Sequence, residues 1–122
     1  MIELKYDHLR GHKLLTKKIL ASMPRIGATE GLPKEVKLVQ VKYFTPFSCW
    51  TWYAVEGEWV RDKEGREVDY RFFGFVDGDF PEWGYFCLSE FDFLTLGIPA
   101  VERDRFFDKQ AIAPFLKGVY SA

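Results

Sequence analysis

Seven carboxylates, Glu56, Glu58, Asp77, Asp79, Glu82, Glu102 and Asp104, fall at the ends of strand-like runs and in turns, where catalytic side chains are often presented. Two of them held in unlike environments would serve as general acid and general base, and three converging would hold a divalent cation through oxygen. Their spacing matches no calcium-binding loop, and acidic turn residues far more often cap turns in water. His8 and His12 stand four apart, which on a helix sets both imidazoles on one face and suits zinc if a third ligand arrives from elsewhere. Gly11 weakens that helix and no HExxH glutamate accompanies the pair, so no metal is expected. Cys49 and Cys87 lack CxxC spacing and have no histidine near them in sequence; they read as buried, reduced thiols with no disulfide. Triad, Walker and dinucleotide glycine signatures do not occur, and no cofactor is expected.

Aromatic side chains are the other candidate chemistry. FTPFSCWTWY, residues 44 to 53, holds five rings, and the 122-residue chain holds twenty-two Phe, Tyr and Trp. On a strand, Trp50, Trp52 and Ala54 project to one face and Thr51, Tyr53 and Val55 to the other; in the run beyond, Tyr70 and Phe72 part from Arg71 and Phe73. Both faces of such a sheet carry rings, so either helices cover both or one remains as a platform. Tyr53, Arg71, Phe73 and Trp83, with Glu56, Glu82, Glu102 and Arg103 around them, would grip a protein partner, for which Trp, Tyr and Arg are typical anchors. The same rings would stack on the bases of a nucleic acid if Lys13, Lys17, Lys18, Lys37 and Lys42 held its phosphates.

The elements presenting these residues belong to one domain, residues 1 to 122. A chain 48% hydrophobic and 29% charged is long enough to bury one core. Its longest apolar runs fall far short of the roughly 18 residues that span a bilayer, and no secretory signal pattern opens it, so a cytoplasmic protein without a membrane partner is expected. The net charge of −1 hides an asymmetry: residues 1 to 43 hold nine Lys/Arg against four Asp/Glu, and residues 44 to 122 hold eight against fourteen. A split of this kind is either a basic face, the start of a phosphate-binding footprint, or ordinary solvated lysine.

Residues 1 to 12 read as a short strand or an ordered arm. Thr16 is placed to cap a helix over KKILASM that Pro24 ends, and RIGATEGLPKE is a loop that wraps the core. VKLVQVKYF reads as a strand whose phase slips at Val39, as at a bulge, and Pro46 separates it from WTWYAVEGEWV. The charged RDKEGRE is a hairpin tip leading into VDYRFFGFV, and DGDFPEWG turns that strand into YFCLS. Ser89 is placed to cap a helix over EFDFLTLG, VERDRFF offers a further short strand, and Asp108 would cap a last helix over KQAIAPFLKG, shortened by Pro114.

The order TKKIL, ATEGLP, VKYFTPFSCWTWYAVEGE, FFGFVDG, EWGYFCLSEF, GIPAVERDRFF resembles the domain-of-unknown-function family numbered 2958, from about Leu14 to Phe107. T-P-x-x-x-W-T-W-Y and E-x-G-Y-F-x-L-x-E are the strongest blocks; the first twelve residues and RDKEGREVD depart from the compact pattern. The family has no established activity. The resemblance implies a plasmid, phage or integrative-element setting, compatible with a modulator of host defence or of conjugation.

Together these readings point to an α+β domain, a central antiparallel meander of four or five strands packed by short helices. Its expected role is a non-catalytic binding or regulatory module for a protein partner. Nucleic-acid binding and a hydrolase-like carboxylate site are the alternatives.

Overall fold

The computed structural model describes residues 4 to 116. Its centre is a five-stranded antiparallel sheet built around one long hairpin. β3 (Thr51–Arg61) and β4 (Glu67–Asp77) are joined at a tip closed by Asp62, and β5 (Glu82–Cys87) follows β4. On the other side of β3 lies β2 (Val41–Phe44), and beyond it the two-residue β8 (Glu102–Arg103), giving the order β5-β4-β3-β2-β8. β1 (Leu38–Val39) pairs with β9 (Gln110–Ala111), and β6 (Leu94–Thr95) with β7 (Ile98–Pro99). The fold is α+β with a central antiparallel sheet, as its alternating runs require.

The tip is closed by chemistry legible in RDKEGRE. Asp62 Oδ1 accepts from the backbone N–H groups of Glu64 and Arg66, each at 2.9 Å, and Gly65 takes a φ of 81° that only glycine adopts freely. Those bonds to the carboxylate hold Asp62 below the usual carboxylate range.

Both faces of the sheet are buried. Val41, Tyr43, Ala54, Tyr70, Phe72 and Phe86 pack under the N-terminal segment, with Leu14 and Leu15 buried and Ile19, Leu20 and Met23 against them. On the opposite face Val39, Tyr53, Val55 and Phe75 pack with Ile112, and Phe115 stacks on Tyr53 at 4.7 Å. Each ring removed from water contributes about 2–3 kcal/mol. Most of the aromatic excess is therefore core: a short helix carrying Ile19 and Leu20 lies over one face, as expected, and the segment from Phe107 to Phe115 covers the other. Among the described residues there are only two short α-helices, α1 (Asp7–Arg10) and α2 (Lys17–Ser22), and none long and apolar enough to cross a membrane.

α2 forms as its sequence predicts: Thr16 accepts the N–H of Ile19 at 3.2 Å, and Pro24 follows the C-cap. The N-terminal arm is a helical turn instead of a strand. Its Lys5 and Tyr6 N–H groups are held by Asp92 (2.6 and 3.1 Å), and the buried Arg10 donates to the carbonyls of Val101 and Phe91 at 2.9 and 3.1 Å.

Three local expectations are corrected. The slip at Val39 is a change of sheet: Val39 pairs with β9 on one face, and after Gln40, Val41 and Tyr43 turn to the other. A bulge does occur in β3, where Val55 is the extra residue between Ala54↔Gly74 and Glu56↔Phe73, and a second register shift falls near the tip between Val60 and Arg61. EFDFLTLG is not a helix. Leu88–Phe91 make one 3₁₀ turn capped at Cys87 by Glu90, Ser89 Oγ donates to Asp69, and Asp92 serves the N-terminal arm. Leu96 (φ 54°) and Gly97 (φ 81°) then form the two-residue turn of the β6–β7 hairpin. The expected last helix is β9 followed by a 3₁₀ turn at Ala113–Phe115 with Pro114 inside it; residues 117 and 118 of that expectation lie outside the described residues.

Candidate functional site

Glu56 is the most strongly engaged of the seven carboxylates, and its work is structural. The Val55 bulge puts Val55 and Glu56 on the same face, driving Glu56 inward to 3% exposure. There it accepts from the N–H groups of Gly27 (2.7 Å) and Thr29 (2.9 Å) and from the Thr29 hydroxyl, with Lys37 Nζ at 4.0 Å. Burial pushes the Glu56 pKa up, but the Thr29 and Gly27 hydrogen bonds and the Lys37 charge outweigh it, so the carboxyl sits below its ordinary value. This buried pair fastens the 25–33 loop to the sheet.

The other carboxylates are dispersed. Glu102 Oε2 lies 3.2 Å from His12 Nε2, and Asp104 pairs with Lys42 at 3.6 Å. Burial lowers the His12 pKa against the pull of Glu102, and Arg105 and Arg103 lower it further. Asp79 and Glu82 are exposed in or beside the β4–β5 turn, Asp77 pairs in register with Thr51, and Glu58 with Arg71. Among the described residues no three His, Cys, Asp or Glu converge as metal ligands. The two cysteines are free; Cys49 is exposed, not buried as expected, because it sits in the β2–β3 connection, and Cys87 is half-buried.

The residues expected to form a platform separate into three places. Tyr53 (6% exposed) and Glu56 belong to the interior, and Lys37 is buried with Glu56, so none of the three offers a surface contact. Arg71, Phe73 and Trp83 do meet, on β4 and β5: Arg71 lies 4.2 Å over Tyr85, Tyr85 touches Phe73 at 5.1 Å, Phe73 stacks on Trp83 at 5.7 Å, and Lys34 covers Trp83 at 5.4 Å. Glu82, paired in register with Val76, falls on the other face of the sheet. Glu102 and Arg103 stand on β8, the opposite edge of the sheet. Lys13, Lys17 and Lys18 are exposed on the N-terminal segment, and Lys42 lies half-buried on β2.

A more open surface is built by FTPFSCW and the β6–β7 hairpin. Ser48 N–H donates to the Thr45 carbonyl, with Pro46 at the second position of that turn, and Thr45 N–H donates to the Trp50 carbonyl at 3.1 Å. Trp50 is thereby swung out of the strand onto the backbone of Gly78, where a Cβ would fall 2.5 Å from the indole. Phe47, Trp50, Trp52 and Phe93, with Thr95 and Ala100, line a pocket of about 290 Å³. Beside it, sharing Thr45, Ser48 and Trp50, a cleft of about 480 Å³ carries His12, Lys42, Glu102, Arg103, Asp104 and Arg105. Leu96, at the hairpin tip, is 88% exposed, and Phe47, Phe93 and Ile98 are about half-exposed. Sequence reasoning missed Phe47, Phe93 and Leu96. The legible signal was T-L-G-I, a leucine-glycine pair between strand-forming residues, which marks a hairpin as well as a helix end.

No known family model, curated protein or solved structure matches this chain.

Proposed function

We propose that the protein is a non-catalytic binding or regulatory module of the cytoplasm that holds a protein partner at the hairpin end of its sheet. On this reading a partner's apolar side chain enters the Phe47–Trp50–Trp52–Phe93 pocket, and Asp79 and Glu102 supply an acidic margin. The sequence blocks support placing the chain with the domain-of-unknown-function family 2958, and with it a mobile-element role in modulating host defence or plasmid transfer.

Leu96 carries the reading. A left-handed backbone costs a leucine about 1 kcal/mol, whereas asparagine or glycine adopts it readily. Here it presents an apolar side chain 88% exposed beside an aromatic pocket. Strain held at an exposed apolar tip serves contact and does nothing for folding.

Leu96→Asn is therefore expected to raise the melting temperature by a few degrees while abolishing partner capture. A photo-crosslinking residue at position 95, in cells of the source organism, should give a discrete adduct that Leu96→Asn removes. The same probe at position 64, on the far hairpin tip, should give none. An adduct indifferent to Leu96→Asn, or equal adducts from both positions, would refute the reading.

A further inference from the structure

The basic residues of the N-terminal segment converge with a cation-bearing stretch of the acidic part of the chain, Arg103 to Lys109. Arg103, Asp104 and Arg105 stand between two adjoining clefts. One, of about 480 Å³, also holds Lys42; the other, of about 470 Å³, also holds Lys18 and Lys109. Five cations from three regions of the chain thus gather at β8. Three carboxylates lie among them, Glu102, Asp104 and Asp108. Two are engaged locally: Asp104 pairs with Lys42 and accepts the Phe106 N–H at 3.0 Å, and Glu102 faces His12. Arg103 is fixed by donating Nε to the Lys13 carbonyl at 2.8 Å, which draws the exposed Lys13 to the same region. Among these charges Phe106 is 90% exposed, and Trp50 lines the cleft on the same side.

We propose that this surface binds single-stranded nucleic acid, independently of the protein-partner reading. Phosphates sit against Arg105, Lys18 and Lys109 across the two clefts, and an unpaired base stacks on Phe106. Clustered cations alone would serve any polyanion. An exposed ring among them selects a ligand with flat, accessible faces, which an acidic peptide does not offer and a duplex keeps within its stack.

The test is fluorescence anisotropy of the full chain with a labelled oligothymidylate of about 20 nucleotides, a duplex of the same length and a labelled oligoglutamate. With three phosphate contacts, single-strand affinity should fall about 20-fold between about 50 and 200 mM salt. Arg105→Glu with Lys109→Glu should weaken binding at least tenfold and flatten the salt dependence. Phe106→Ala should weaken it by roughly fivefold or more with the salt slope unchanged. Arg61→Glu with Arg66→Glu, the same charge change at the far hairpin tip, should alter neither. The proposal is overturned by no binding at the lower salt, by peptide or duplex binding as tightly as the single strand, or by variants at 105, 106 and 109 that behave like the hairpin-tip control.

Discussion

Gly74→Ala is expected to destabilise the protein by about 3 kcal/mol or more, from a single added methyl group. A Cβ at this position would lie 2.0 Å from the carbonyl oxygen of Tyr53 and 3.0 Å from the Cα of Ala54. Both obstacles are backbone of the neighbouring strand, so no side-chain rotation relieves the clash. The close approach occurs where β3 bends, next to the Val55 bulge, and the strands there belong to the centre of the sheet. Relief would require separating β3 from β4 at Ala54↔Gly74, between the two cores. Gly84, paired with Gly74 from the other side, has nothing within 4 Å of its notional Cβ, which makes Gly84→Ala the matched control. Urea unfolding of the two variants should give a large drop in midpoint for position 74 and little change for position 84. Equal midpoints would show that the strands do not approach so closely.

Glu56→Ala is expected to cost about 3–5 kcal/mol, the loss typical of breaking a buried ion pair from one side. It would strand Lys37 as a buried charge and leave the Gly27 and Thr29 N–H groups without their acceptor. Removing both charges, with Glu56→Gln and Lys37→Met, should cost less than the two single changes together, and a double-mutant cycle measures the coupling. The pH dependence has a definite sign. The folded-state pKa of Glu56 is depressed, so its contribution is fully present above the unfolded value, near pH 4, and is lost as pH falls through the lower folded value. Glu56→Gln should therefore flatten the acid limb of the stability profile. A profile as steep as that of the unaltered chain would assign the acid sensitivity to other groups.

The long hairpin was legible because every local signal agreed on it. Alternation in WTWYAVEGE and VDYRFFGFV and a charged tip that contains Gly65 all demand the same structure. The region from Ser89 to Pro99 was misread because Ser89 and Asp92 have the spacing of a helix cap, while their side chains are engaged elsewhere, with Asp69 and with the N-terminal arm. Those partners lie 20 and 87 residues away in sequence, beyond any local pattern. The candidate site was legible as residue types and not as an arrangement. Trp83 and Arg103 were both singled out, but no pattern in a single chain states that β5 and β8 are opposite edges. Glu56 was mistaken for a surface acid because a one-residue bulge reverses the facing of everything after it, and VEGE carries no mark of that extra residue.

The second core has an implication for synthesis. Val39, Tyr53, Val55 and Phe75 are covered by Ile112, Phe107 and Phe115, and Val39 finds its strand partner only at Gln110. A chain emerging from the ribosome with residues 38 to 77 complete can form the long hairpin, but the face shared by Val39, Tyr53, Val55 and Phe75 stays in water until the stretch through Phe115 has been released. Burial of that face thus waits for the stretch from Phe107 to Phe115 to emerge. Until then the growing chain displays a ring-bearing sheet surface of the kind that chaperones hold.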